Sequence, residues 1–138
     1  MIYITGSMGF IGSYAMEAFA NAGYDRLGFD KEAGSDLILW DMLQHFGKQK
    51  PPNHIIHLAG SCSTQRGLDD PRQDFQDNVM GTFNILEIAR KYKAPIIYTS
   101  TCKVYPDNKK NQRTPYGLSK YIGELYIEEW CKTYGVDY

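Results

Sequence analysis

Two groups of residues in this chain have the types and spacing to do chemistry. The first is Gly6-Ser7-Met8-Gly9-Phe10-Ile11-Gly12, a G-x-x-G-x-x-G turn placed directly after a short apolar segment. Such a turn lets a pyrophosphate approach bare backbone, where side chains would block it. A helix opening at the turn adds free N–H groups and a positive partial charge. Asp30 lies 18 residues beyond Gly12, at the end of the next apolar stretch. A carboxylate there can accept hydrogen bonds from both hydroxyls of an adenosine ribose and repels a 2′-phosphate, which favours NAD over NADP. Lys31 comes directly after it and works against that preference, because an ammonium can pair with a phosphate. Glycines also make ordinary turns, and Asp also occurs in solvated ones. The strand–turn–helix context is what points to a dinucleotide.

The second group is Tyr116 and Lys120, four apart at the start of a helical pattern and so on one face of it. An ammonium beside a phenol favours phenolate, and a cationic nicotinamide ring acts in the same direction. Such a phenol can trade a proton with a substrate hydroxyl near neutral pH. The spacing alone says little in a chain with 11 tyrosines. Near it in kind is Tyr98-Thr99-Ser100-Thr101-Cys102, which ends an apolar segment with hydroxyls. Ligands gather at the carboxyl ends of strands in doubly wound sheets, although Ser and Thr also simply cap strand ends.

Apolar periodicity predicts the elements that must position these groups. Strands are expected at residues 1–5, 27–30, 36–39, 54–59 and 95–100. The first helix begins after Gly12 with Tyr14, Ala15, Ala18, Phe19 and Ala22 on its apolar face, and stops at residues 21–23. A short helix is expected at 41–46. A long one opens at Pro71 with Phe75, Val79, Phe83 and Leu86 on one face and ends near Lys93. The last spans 116–134, with Leu118, Tyr121, Ile122 and Leu125 as its stripe and Gly135 as its cap. The stretch after Ala59 reads as a loop. The alternation predicts an α/β fold: a Rossmann-type doubly wound parallel sheet of about five strands in order 3-2-1-4-5, stopping before a sixth.

Composition narrows the function classes. The 138 residues suit one domain, and 15 basic against 16 acidic side chains leave a net charge of −1. No basic excess points to nucleic acid or to an anionic membrane. No apolar run reaches the roughly 18 residues of a membrane span, and no signal-peptide pattern opens the chain. Cys62, Cys102 and Cys131 form neither a disulfide framework nor a metal-ligand spacing, so no metal is expected and a cytoplasmic location is. His54 and His57 bracket a buried strand, where a hydrogen-bonded structural role is expected.

The ordered set of motifs resembles the extended short-chain dehydrogenase/reductase family, the NAD-dependent sugar-nucleotide epimerases and dehydratases. The residues that carry the resemblance are Thr5 to Ser13, His57-Leu58-Ala59-Gly60, Asn78-Val79-Met80-Gly81-Thr82 with the helix after it, Ser100-Thr101 before Val104-Tyr105, and Tyr116 with Lys120. The resemblance implies NAD held by Gly6, Gly9, Phe10, Ile11 and Gly12, with Asp30 on the adenosine ribose and Lys31 beside it. It also implies Asp41 and Met42 at the adenine, and Leu58, Ala59 and Gly60 along the cofactor cleft. Asn78 falls near the active site. Thr101 orients the sugar hydroxyl, Tyr116 is the general acid/base, and Lys120 holds the nicotinamide ribose and tunes Tyr116. Hydride leaves a sugar carbon for NAD and returns to the other face. Helices 71–92 and 116–134 pack into a homodimer's four-helix bundle, with Ile85, Ile88 and Tyr92 as a second stripe that fits either this bundle or a broad core face.

Three features depart from the family's pattern. Cys102 and Lys103 stand where dehydratases carry Asp-Glu, which disfavours water elimination, and Ser-Thr-x-Lys-Val-Tyr is closer to CDP-sugar 2-epimerases. Only 15 positions separate Thr101 from Tyr116, a shorter loop than usual. The chain ends at Tyr138, before the C-terminal substrate domain is expected, so residues 1–138 read as the NAD-binding domain alone. Three readings are open: an epimerase-type enzyme of a nucleotide sugar, a non-catalytic NAD-binding truncated homologue, or a half-enzyme completed by a partner chain.

Overall fold

A computed structural model describes residues 1–37, 49–106 and 112–138. Four strands, β1 (Ile2–Thr5), β2 (Arg26–Phe29), β3 (His54–His57) and β4 (Ile96–Tyr98), form one parallel sheet in the order β2-β1-β3-β4. In register, Ile4 stands opposite Gly28 on one side and Ile56 on the other, and Ile56 stands opposite Ile97. Among the described residues this is the expected Rossmann-type order without its outermost strand. Asp36 and Leu37 are not strand. Positions 38–39, the helix expected at 41–46 with Asp41, Met42 and His45, and most of the polar loop near 110 lie outside the described residues. All four residues of β1 are buried. Side chains alternate across a strand, so both faces of the sheet are covered there.

Helix α1 (Phe10–Asn21) lies against β1 and β2. Its expected apolar face is not a core face: Gly12 is its one fully buried residue, and Tyr14 is 63% exposed. The helix approaches the sheet through its glycine end instead of a stripe of large side chains. The expected loop after Ala59 contains α2 (Thr64–Asp69), capped by the Ser63 hydroxyl on the Arg66 N–H. Periodicity could not reveal it, because Thr-Gln-Arg-Gly-Leu-Asp has no apolar repeat. It docks through Gly67, where a Cβ would lie 3.1 Å from the Tyr116 nitrogen.

The long helix is interrupted. Asp70 caps α3 (Pro71–Phe75), a π-helical turn comes next at Gln76–Met80, and α4 (Gly81–Tyr92) continues to a left-handed cap at Lys93. The extra residue in the turn rotates α4 relative to α3 and defeats a constant helical period. Phe75 is accordingly exposed, whereas Asn78, Val79, Thr82, Ile85, Leu86, Ile88 and Ala89 are buried. Ile85 and Ile88 therefore belong to the core, which they form with Tyr3, Phe29, Ile55 and Ile96. The last helix, α5 (Pro115–Tyr134), starts at a Thr114 cap and ends at Gly135. Its expected stripe holds only in part: Tyr121 and Ile122 are half-buried. Leu118 is 47% and Leu125 44% exposed, while Tyr116, Ser119, Lys120, Gly123, Ile127 and Cys131 face inward.

A buried hydrogen-bond chain ties strand ends to helix. The Thr5 hydroxyl oxygen accepts from the Leu58 and Ala59 N–H groups, at 3.2 and 3.1 Å. Its own proton is therefore directed to His57 Nδ1, 2.6 Å away. His57 Nε2–H then donates to Thr82 Oγ1 at 3.1 Å, and that hydroxyl donates to the Asn78 carbonyl at 2.6 Å. This accounting assigns the neutral Nε2–H tautomer. Burial, reinforced by the Lys120 charge, lowers the His57 pKa from 6.5 to about 3. The expected structural role thus holds for His57; His54 is exposed.

An unfolded His57 takes up a proton below its ordinary pKa, and the folded one does so only near the lowered value. His57 therefore stabilises the fold above pH 6.5, and that contribution is lost as pH falls toward 3. Wild type should exceed His57→Asn in stability near neutrality, and the gap should narrow on acidification by up to about 5 kcal/mol. Urea midpoints of both proteins at several pH values check this.

Candidate functional site

The glycine turn is built by contact with backbone. Gly6 has φ +67°, and a Cβ on it would lie 2.7 Å from the Ala59 nitrogen. A Cβ on Gly12 would lie 1.9 Å from the Gly6 carbonyl oxygen. Gly9 meets only that same oxygen, at 3.2 Å. Gly9 is also the N-cap of α1 and offers no capping side chain, so the first N–H groups of the helix stay available. Phe10 (82% exposed) and Ile11 turn their side chains outward, so their contribution to a ligand would be backbone.

Asp30 is aimed at this turn. Its Oδ2 accepts the Met8 N–H at 2.9 Å, and its Oδ1 accepts the Glu32 N–H at 3.2 Å. The carboxylate caps the three-residue turn Lys31–Ala33, and Gly34, with φ 78°, returns the chain so that the Ser35 N–H reaches the Asp30 carbonyl. The cleft between β1, β2 and β3 is lined by Gly6, Gly9, Asp30, Lys31, Leu58, Ala59 and Gly60, all expected from sequence. Phe29, Ser35, Asp36, Leu37 and Asp77 also line it and were not expected. The Gly34-Ser35 turn signal could have located the second and third of these. Asp77 is brought in by the π-helical turn, which has no sequence signal as plain.

The remaining candidates assemble at the same ends of β3 and β4. Thr101 lies just beyond β4, and its hydroxyl accepts the Lys103 N–H at 3.3 Å, capping the turn Cys102–Val104. That turn abuts the start of α5: a Cβ on Gly117 would lie 2.3 Å from the Lys103 carbonyl oxygen. Gly117 thereby brings Tyr116, in the first turn of α5, beside the segment that carries Thr101. Lys120 is 5% exposed, with Nζ 4.1 Å from the Tyr98 ring centroid. Burial lowers its pKa from 10.5 to about 8, opposed by the charges of Asp74, Glu124 and Cys62. Burial also raises the pKa of the Tyr98 phenol, which donates to the Lys120 carbonyl at 3.5 Å.

Asn78 completes the cluster. Its Nδ2 donates to Asp74 Oδ1 and to Ser119 Oγ, each at 3.1 Å, and the Ser119 hydroxyl donates to Asp74 Oδ2 at 2.6 Å. Its Oδ1 is buried and has no hydrogen-bond partner. That oxygen would lie 2.5 Å from a Cβ on Gly60, and Lys120 Nζ 3.9 Å from the same point. Gly60 thus joins the two groups: it lines the Asp30 cleft and faces Asn78 and Lys120. Among the described residues no cluster of His, Cys, Asp and Glu could hold a metal ion, and no helix is long and apolar enough to cross a membrane.

The sequence matches the NAD-dependent epimerase/dehydratase family over residues 2–138. The chain belongs to that family. A Methanocaldococcus jannaschii relative that carries a provisional UDP-glucose 4-epimerase name is 30% identical over all of this chain and 53% of its own length. The CDP-paratose 2-epimerase of Salmonella typhi is 28% identical over 99% of this chain and 54% of its own. Among solved structures, Thermus thermophilus UDP-glucose 4-epimerase in complex with NAD superposes with a TM-score of 0.87 at 25% identity, over 98% of this chain and 52% of that one. The chain spans about half the length of the curated relatives it matches.

The glycine contacts separate two roles within the family's turn. Gly12→Ala forces apart backbone that has nowhere to go and should cost roughly 2–4 kcal/mol. Gly9→Ala, facing the open cleft, should cost about 1 kcal/mol or less. Thermal unfolding of the two variants checks the order.

Proposed function

We propose that this chain binds NAD along the cleft from Asp30 to Lys120, and that Thr101, Tyr116 and Lys120 carry the chemistry of a sugar-nucleotide epimerase. The observation that carries this reading is Gly60. It continues the dinucleotide cleft to the point where an orphaned acceptor, Asn78 Oδ1, and a buried donor, Lys120 Nζ, converge. An acceptor and a donor side by side suit vicinal ribose hydroxyls. The bare backbone at Gly6, Gly9 and Gly12 suits a pyrophosphate, and the Asp30 carboxylate suits the adenosine ribose. The cofactor-binding set is thus Gly6, Gly9, Gly12, the Phe10 and Ile11 backbone, Asp30, Lys31, Leu58, Ala59, Gly60, Asn78, Tyr116 and Lys120.

When bound, NAD supplies a hydride acceptor that can return the hydride to the opposite face of a sugar carbon. The chain's residues handle the proton. Thr101 orients the sugar hydroxyl, and the Tyr116 phenol takes its proton and later gives it back. Lys120, one helical turn on, presents its ammonium to the nicotinamide ribose. Cys102 and Lys103 stand beside Thr101. Neither is a carboxyl group, so the Asp-Glu acid pair of dehydratases is not reproduced here, which supports epimerisation over dehydration. The outward Leu118 and Leu125 on α5, with Phe75 on α3, support a second copy packing against these helices.

NAD should bind saturably in calorimetric titration, with NADP weaker by at least about tenfold and Asp30→Ala lowering NAD affinity by a similar factor. No binding at millimolar NAD overturns the reading. Tyr116→Phe should still bind NAD saturably while lowering turnover of a nucleotide-sugar substrate by roughly 10²–10⁴.

A further inference from the structure

Asp74 is a carboxylate 3% exposed, in α3, and none of the ion pairs among the described residues involves it. Burying such a charge is costly, and a neutral amide would fill the same space. What an amide could not supply is an acceptor at both oxygens. Asp74 takes one hydrogen bond from Asn78 Nδ2 and one from Ser119 Oγ. Because the carboxylate only accepts, the Asn78 amide can present only its nitrogen to it. The Asn78 oxygen must then point the other way, to the side of Gly60, where it is buried and unpartnered.

We propose that Asp74 is a positioning residue: its acceptor-only carboxylate fixes the Asn78 amide so that Oδ1, and not Nδ2, faces the Gly60 end of the cleft beside Lys120. The ligand group this selects is a hydrogen-bond donor, which under the NAD reading, on which the inference rests, is a ribose hydroxyl. The electrostatics agree in sign. Charged and titratable groups that face Lys120 are Asp74 from α3, Glu124 on α5, and Cys62 from the loop after β3, with Tyr98 under the ammonium, Tyr116 one turn before it on α5 and neutral His57 beyond. Of the charges that support the ammonium, Asp74 is the strongest.

The decisive substitution is Asp74→Asn. The new amide can donate to Asn78, whose own amide then turns over and places Nδ2 at Gly60; the competing arrangement donates to Ser119, whose hydroxyl then turns to the Tyr116 carbonyl 3.0 Å away and leaves Asn78 as it is. A donor there leaves a ligand hydroxyl without its acceptor and opposes the neighbouring ammonium. Asp74→Asn/Asn78→Asp exchanges the two groups and restores an acceptor at Gly60. Calorimetric titration with NAD should show affinity weaker by about tenfold or more in Asp74→Asn and within about threefold of wild type in the exchange. In ligand-free protein, NMR titration of the Lys120 ammonium should give a lower pKa in Asp74→Asn than in wild type, and recovery in the exchange.

Ser119→Ala keeps the Asp74–Asn78 bond and should bind NAD within about threefold of wild type. It keeps the proposal testable should Asp74→Asn not fold. Wild-type affinity in Asp74→Asn overturns the proposal. So does an exchange variant no better than the single one, or a Ser119→Ala loss as large as that expected for Asp74→Asn. If wild type itself binds no NAD, the cofactor reading fails, and the NMR contacts of the Asn78 side-chain amide in ligand-free wild type and Asp74→Asn still decide the role of Asp74.

Discussion

The hydrogen-bond chain from the Thr5 hydroxyl through His57 and Thr82 to the Asn78 carbonyl is the constraint on which the geometry of the site depends. Every donor in it is used once and every link runs in one direction. The direction is set at its start, where two backbone N–H groups occupy the Thr5 oxygen. A protonated His57 would donate from both nitrogens, and Thr5 would then have a proton with no acceptor in the chain. Neutrality is therefore built into the packing and not left to the solvent. The chain joins the last residue of β1, just before the glycine turn, to the end of β3, just before Gly60, and to the π-helical turn that displays Asn78. Those three places are where the cleft is made.

The sheet and the glycine turn were legible in the sequence because both are local. Short β-branched runs read as buried parallel strands, and Gly6, Gly9 and Gly12 sit where backbone approaches backbone. Asp30 was legible because it ends a strand. The helices were less so. Period counting across Pro71 to Lys93 assumes 3.6 residues per turn throughout, and the π-helical turn at Gln76–Met80 breaks that assumption. It sends Phe75 outward and Ile85 and Ile88 inward. Helix α2 was invisible because capping and a glycine contact hold it, with no apolar stripe. The roles of Asp74 and Ser119 had no signal: each is an ordinary polar residue until the fold brings α3 and α5 together.

Helix α5 shows why hydrophobicity misjudged its orientation. Tyr116 and Lys120 are both buried, and at about 100° per residue Leu118 then lies roughly 200° from Tyr116, on the far side. Leu125, seven residues further on, lies near the same line. A helix cannot turn those leucines inward without turning the tyrosine and lysine out. The inward face must instead be made from residues that tolerate close contact and polar neighbours. Gly117 admits the Lys103 carbonyl, Gly123 admits the Tyr98 ring, and Ser119 bonds to Asp74. The buried Lys120 rests on that ring, and the charge that supports it most is the carboxylate that Ser119 holds. The polar interior of α5 and its exposed leucines are thus two consequences of one requirement. The leucines on its outer face can therefore be changed without disturbing the contacts that hold Tyr116 and Lys120 inward.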